Sequence, residues 1–515
     1  MGEALSGEAL NAVTDNAAPE DAVPDNVVPD NASPSGHCPF LEGISMTKRT
    51  SIDRREFVTT TGAAVAAAAL GPTIRVKRRE KTLKILQWSH FVPTYDVWFD
   101  KYAKDWGTAK GVDVTVDHIS LADLGTRANA EVAAQQGHDL FQFLSPPGAF
   151  EPQVLDMADV VAEAERQHGP ILDLCKRSTY NPVTRKWFGF SDNYVPDPGD
   201  YLKSIWTEIG MPDGPATWED LVKAAPLIKG KHPEISIPIG IGMSQELDSN
   251  MASRAMLWSF DGSIQDADEN VVLNSGHALE ALEFGVRLFK AGMTPAVMSW
   301  NAASNNQALN ARQTGYILNS ISAYRTAQDN KLPVADDTFF VPALKGPRGT
   351  GWASEHVMGI YVIWKFAQSP DLAHQFLLDL VGHCRDAVLG SKLYNFPSFT
   401  GSVADPGVAL AQKTASGNKW LEQVTSNDPF GSTPPSKLKP IATALRWATN
   451  IGHPGPANPA ESEVFDTFVL PTMFANAATN RMSAKEALAD AHQQVKKTFE
   501  KWRSRGLVAG GAHDR

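Results

Sequence analysis

From Thr82 onward, apolar and polar positions alternate between two periods. Leu83–Trp88 (LKILQW) is a β-rich apolar run, and Val112–Ile119 (VDVTVDHI) alternates with period two. Asp139–Leu144 (DLFQFL) reads as a third strand, stopped by Ser145-Pro146-Pro147-Gly148. Between them, Val97, Tyr102 and Trp106 fall on about one helical face, and Ala122–Gln136 reads as a helix broken by Gly137. Strand, helix, strand, helix, strand predicts right-handed βαβ units and a mostly parallel sheet.

Further runs continue the α/β pattern. Lys186–Phe190, Ile235–Met243, Gly315–Ser320, Thr338–Leu344 and His356–Trp364 read as strands. Thr217-Trp218-Glu219-Asp220 is a capping box opening a helix to about Ile228. Asn274-Ser275-Gly276 precedes an amphipathic helix with Leu279, Leu282, Val286 and Phe289 on one face, ended by Gly292. Ser369-Pro370-Asp371 places an N-cap before a first-turn proline. Ser483 and Glu486 open a last helix carrying Leu488, Val495, Phe499 and Trp502. No repeat of 20–50 residues breaks this body.

The charge is unevenly placed. The 515 residues carry 58 acidic and 47 basic side chains, a net of −11, but residues 1–45 hold eight of the acids and no Lys or Arg. Residues 1–36 are low in complexity and read as disordered. A basic stretch follows (Lys48, Arg49, Arg54, Arg55), then a muted apolar run Phe57–Leu70 ending in alanines. That is a signal-peptide layout, and Ser51, Arg54, Arg55 and Phe57 resemble the twin-arginine export motif. We therefore expect Met46 to be the start, residues 1–45 an upstream acidic extension, and 46–70 a signal routed through the twin-arginine translocon. Residues 71–515 keep 43 basic and 48 acidic side chains, a net of −5, which disfavours a nucleic-acid binder, because a phosphate backbone needs a basic face. No Cys follows the alanine run, which favours a soluble periplasmic protein over a lipid-anchored one. Cys38 would be lost with the signal, and Cys175 and Cys384 either pair, as an oxidising compartment allows, or stay free and buried.

Enzyme and cofactor motifs are missing. Gly230-Lys231 lacks the Ser/Thr of a phosphate loop, Gly242-Met243-Ser244 is no nucleophile elbow, and Gly240-Ile241-Gly242 lacks a third dinucleotide-loop glycine. Asp266, Asp268 and Asn270 start like a calcium loop, but Val271 and His277 stand where Gly and Glu are needed, so a polar turn is expected. The 13 histidines show no metal-ligand spacing, and no cofactor is implied.

Ordered strings across about residues 82–505 resemble the extracellular solute-binding proteins of bacterial ABC importers, in the class that includes maltose-binding proteins. LKILQWSHF is similar to the family's first strand and ligand-facing loop. TRKWFGFSDNYVPDPGDYLKSIWTEIGMPDGPATWEDLVKAA is similar to its signature stretch, with Tyr201 after the hinge crossing and Pro215-Ala216-Thr217-Trp218-Glu219-Asp220-Leu221 at its end. SFDGSIQDADENVVLNSGHALEALEFGVRLFKAGMTP resembles the following hairpin, helix and Gly-x-x-Pro. The departures are the twin-arginine signal and the extra prolines after Tyr194. The resemblance implies an α/β fold of two lobes, the type II-like periplasmic-binding-protein fold, with the ligand in the cleft between them. It implies lobe one at about 82–193 plus 346–392, and lobe two at about 194–345 plus 393–505. It further implies a non-enzymatic carrier that delivers a small polar solute, a sugar or oligosaccharide, to membrane permease subunits. Two other readings stay open: a polyamine or phosphorylated polyol as ligand, for which Arg127, Arg254 and Arg325 are the candidate cations, and an exported enzyme with a preloaded cofactor.

A sugar offers a flat C–H face to aromatic rings and hydroxyls to polar groups. Trp88 and His90, after the first strand, suit both, although Trp88 equally suits the core. Asp123, at a helix start, either accepts two hydroxyls or serves the helix dipole. Phe143 ends the third strand, and Tyr194 lies at the hinge. In lobe two, Trp300, Asn319 and Trp352 follow helix or strand ends. Tyr394 and Asn395 complete the candidates.

Overall fold

The structure is a computed structural model that describes residues 81–514. The expected extension 1–45, the signal 46–70 and Cys38 lie outside the described residues. In chain order the strands are β1 (Lys81–Trp88), β2 (Val112–Ile119), β3 (Leu140–Phe143), β4 (Tyr180–Asn181), β5 (Lys186–Trp187), β6 (Phe190–Tyr194), β7 (Gly199–Leu202), β8 (Tyr316–Leu318), β9 (Thr338–Val341), β10 (Ala353–Ser354), β11 (Met358–Ile363), β12 (Phe396–Pro397) and β13 (Ala448–Thr449).

The first lobe is built on a six-stranded sheet in the order β12-β6-β11-β3-β1-β2. β1 pairs parallel with β2 and with β3. β11 runs antiparallel to both β3 and β6, and β12 antiparallel to β6. Four strands thus point one way, as the βαβ pattern requires. β11, which returns from the second lobe, and β12 run against them, so the sheet is mixed rather than simply parallel. This topology places the carboxyl ends of β1, β3 and β6 and the amino ends of β11 and β12 on one edge. The helix Thr94–Lys110 packs on β2 and buries Tyr95, Phe99, Ala103 and Trp106. Val97, expected on that face, is instead 72% exposed.

The second lobe holds the antiparallel sheet β8-β7-β9. The strand expected over Ile235–Met243 is reduced to one parallel bridge, Gly240 to Ile317. Pro238 has no N–H for a ladder, and Gly240 and Gly242 weaken what remains. The expected strand Lys186–Phe190 is also split: Lys186–Trp187 pairs with β4, and Phe190 opens β6.

Helix signals fare better. Thr217 and Asp220 form the capping box of Trp218–Lys231, and Ser483 and Glu486 that of Ala484–Arg503. Ser275 caps Gly276–Gly292 through the Ala278 N–H. Ser369 makes no side-chain cap bond, although Pro370 does begin its helix. Asp266 accepts the N–H groups of Asp268 and Asn270, which makes the expected polar turn.

Beyond residue 392 the chain stays on the first sheet. β12 closes its edge on β6. The helix Leu410–Ser426 packs on Thr400–Val403 and on the helix Ala158–His168. Gly417 makes that contact close: a Cβ there would lie 1.9 Å from the Thr400 carbonyl oxygen. Cys175 and Cys384 are both free and buried. No helix among the described residues is long and apolar enough to cross a membrane.

Candidate functional site

Two chain crossings and a first-lobe loop meet at the sheet edge defined above. The first, Val195–Pro198, continues β6 into β7. The second, Ser354–Val357, leads into β11. Backbone bonds tie the two: the His356 N–H donates to the Val195 carbonyl at 2.9 Å, and the Val195 N–H to the Val357 carbonyl at 2.9 Å. The loop Leu393–Asn395, which joins the first-lobe helix Cys384–Gly390 to β12, lies at the same edge. In α/β proteins ligands bind at such strand ends.

From the first lobe, Trp88 and His90 reach this junction together. Their ring centroids are 4.7 Å apart, and the His90 ring lies 4.8 Å from Tyr394 and 4.6 Å from Tyr95. The Val92 N–H donates to His90 Nδ1 at 2.9 Å, so Nε2 carries the proton and faces Asn395 Oδ1 at 3.3 Å. Burial pulls the His90 pKa down to about 3, so the ring is neutral. Trp88 is 2% exposed and fills the aromatic cluster as much as it bounds the cleft.

From the second lobe come polar loops. Asn319 follows β8. Its amide donates to Asn306 Oδ1, its oxygen accepts the Ser320 N–H at 2.8 Å, and Asn306 continues to Ser322 Oγ at 3.0 Å. Asn305 Nδ2 donates to Asp248 Oδ2 at 2.7 Å. His356 Nδ1 lies 3.1 Å from Asp197 Oδ1, and its Nε2 lies 3.8 Å from Asp248 Oδ1. Among the described residues neither Asp248 Oδ1 nor His356 Nε2 has a hydrogen-bond partner. Tyr394 lies within electrostatic reach of Asp248 and Asp197, which joins the two lobes' contributions in one place.

The electrostatics follow from burial. Burial, reinforced by Glu246, raises the Asp248 pKa to about 8. Burial works against a charged His356, but Asp248 and Asp197 outweigh it and raise its pKa. Glu246 caps the helix Leu247–Ser259 by accepting the N–H of Asp248 at 2.7 Å and that of Ser249 at 2.5 Å.

The other expected residues are scattered. Trp300 is half-buried beside this cap, its carbonyl accepting from Ser244 Oγ at 2.5 Å. Trp352, also half-buried, lies 4.8 Å from the His453 ring, which meets Trp258 at 5.6 Å. Phe143 is packed among Phe141, Phe150 and Trp364. Tyr194 packs edge-on against Phe396, within the sheet rather than in the loop. Asp123 lies exposed past β2 and does not cap the next helix. The structure thus gathers Trp88, His90 and Asn319 at the crossings, with Tyr394 and Asn395. Asp197, Asp248, Asn305 and His356 were not expected from the sequence. The one local signal for them was the polar run Ser244–Asn250 after an apolar segment.

The three candidate cations are engaged elsewhere. Arg127 pairs with Glu131, Arg254 with Glu461 and Arg325 with Asp428. No group of His, Cys, Asp and Glu among the described residues has the arrangement of a metal site. A groove of about 510 Å³ lined by Thr217, Glu219, Phe284, Arg287 and Lys345 shares no residue with the crossings.

Two α/β lobes joined by paired crossings, with polar and aromatic side chains from both converging there, define a two-lobed binding protein with its cleft between the lobes. The model of the family described as bacterial extracellular solute-binding protein matches residues 93–378, and the chain belongs to that family, whose members are carriers rather than enzymes. No curated protein matches the sequence. Among solved structures, the chain is similar to a maltose-bound protein of T. maritima, at 18% identity and TM-score 0.64, over 81% of this chain and 99% of that one. It is also similar to a sugar transporter of Arthrobacter chlorophenolicus A6 with bound laminaribiose, at 16% identity and TM-score 0.64, over 81% and 99%. A third is the GacH receptor of Streptomyces glaucescens, seen unliganded and with acarbose, at 14% identity and TM-score 0.65, over 82% and 99%. These likenesses establish the two-lobed fold.

Proposed function

We propose that the protein captures a sugar or oligosaccharide outside the cytoplasm and hands it to the permease of an ABC importer. The observation that carries this reading is the convergence of Trp88, His90 and Tyr394 with the polar set Asp248, Asn305, Asn319 and His356 at the lobe crossings. Rings offer apolar faces, and carboxylate and amide oxygens accept hydroxyl protons. Capture works by lobe closure: the solute binds the closed form better and shifts the population toward it. The solved neighbours hold maltose, laminaribiose and acarbose, which agrees with a saccharide here. A phosphorylated polyol fits less well, because Arg127, Arg254 and Arg325 are all paired within the protein. Export through the twin-arginine translocon, with removal of residues 46–70, delivers the soluble carrier to the periplasm. A thermal-shift screen against sugars, polyols and sugar phosphates tests the ligand class: saturable stabilisation by a sugar is expected, and stabilisation by sugar phosphates alone would overturn it.

A further inference from the structure

The crossings gather more carboxyl groups than the single imidazole beside them can neutralise, and burial keeps one of them, Asp248, protonated near neutral pH. Asp197, Glu246 and Asp248 surround one imidazole, His356. Glu246 is spent on the cap of the helix Leu247–Ser259, and Asp197 on His356 Nδ1. Among the described residues no Lys or Arg makes a salt bridge to any of the three. Asp248 is 5% exposed, and one of its two oxygens has no partner. His356 is 1% exposed, and its Nε2, 3.8 Å from that oxygen, has none either. A buried carboxylate oxygen is expensive unless a donor or a counter-charge reaches it. Neutral hydroxyls would satisfy the hydrogen bonds and leave Asp248 protonated, without the counter-charge it needs to ionise. An ammonium group would satisfy both, offering three N–H donors and one positive charge.

We propose that the solute carries a basic amino group, as an aminodeoxy sugar does, and that this group seats against Asp248 Oδ1 beside His356 at the lobe crossings. The inference rests on the proposed capture of a saccharide and narrows its class. Burial of Asp248, which holds its pKa near 8, agrees with a carboxyl group awaiting a counter-cation.

The test uses the exported chain and matched probes at pH 7: D-glucose, D-glucosamine and N-acetyl-D-glucosamine, then fully deacetylated and fully acetylated chitobiose, with spermidine as an amine lacking a sugar. Binding is read by titration calorimetry. The free-amine saccharides should bind at least tenfold more tightly than their hydroxyl and N-acetyl counterparts. In Asp248→Asn, which keeps the shape and the Asn305 contact, that preference should fall to near unity. The wild-type comparison stands whether or not the variant folds. Equal binding of amine and neutral saccharides overturns the inference and leaves the proposed sugar capture intact. Spermidine binding more tightly than every saccharide upholds the amine seat and overturns the sugar reading. No binding by any amine probe, or an amine preference that survives in Asp248→Asn, overturns the assignment.

Discussion

His356 Nδ1 lies 3.1 Å from Asp197 Oδ1, a buried contact between the crossing that leaves the first lobe and the one that returns to it. The backbones of the same two crossings are hydrogen-bonded, so the side-chain pair locks a junction that both lobes share. Removing one member of a buried pair strands the other, at about 3–5 kcal/mol. Asp197→Ala should therefore lower stability by about 3 kcal/mol, whereas Asp197→Asn keeps an acceptor for the imidazole and should cost less than half as much. Urea unfolding of both variants at pH 7 checks this; equal costs would mean that the pair is not what holds the crossing.

Glu355, the neighbour of His356, gives a pH prediction. Its pKa rises from 4.5 to about 8, through burial. Between those values the unfolded chain has lost the proton and the folded chain still holds it. Stability from this group is thus complete below about pH 4.5 and declines as pH rises toward 8. Glu355→Gln removes the term. Its melting temperature relative to the native chain should climb steadily from pH 5 to pH 8, and a flat difference would refute the assignment.

His90 has the opposite sign. Its pKa drops to about 3, so the unfolded chain binds a proton below about 6.5 that the folded chain refuses. Stability from His90 is present above that pH and is lost as pH falls toward 3. His90→Gln should cost stability at pH 7, through lost packing against Trp88, Tyr95 and Tyr394, and cost less at pH 4. The cost is measured by denaturant titration at the two pH values.

Gly417 tests how the segment beyond residue 392 is seated. A Cβ at 1.9 Å from the Thr400 carbonyl requires the helix Leu410–Ser426 to move. Gly417→Ala should destabilise by about 1–3 kcal/mol despite the better helix propensity of alanine. Gly382→Ala, with nothing near its Cβ, is the control and should be neutral or slightly stabilising.

The thiols give a chemical check. Cys175 and Cys384 are unpaired and fully buried, with pKa values pushed up to about 12 by burial. Residues 82–515 should show no thiol reactive to a disulfide reagent when native and two when denatured. None after denaturation would indicate a disulfide.

What was legible in the sequence was local. The capping boxes at Thr217 and Ser483 and the period-two run Val112–Ile119 each declare themselves within a few residues, and each forms. Trp88 and His90 were legible because they follow a clear strand whose carboxyl end must face a cleft. Ile235–Met243 misled because apolar content alone does not make a ladder where proline and glycines interrupt it. Asp197, Asp248 and His356 were invisible for a different reason. They lie on separate segments that only the crossings bring together, and no spacing encodes that meeting. Phe143 and Tyr194 stood at the right strand ends, but their side chains point into the packed sheet. Side-chain direction there depends on pairing register, which the sequence alone leaves open.

The most direct test is a crystal structure of the exported chain with the saccharide that stabilises it most. The account predicts the ligand between the lobes, with a polar group against Asp248 and His356 and a ring face toward Trp88, Tyr394 or Trp300. A saccharide bound instead in the groove lined by Glu219, Phe284 and Arg287, with the crossings untouched, would contradict it.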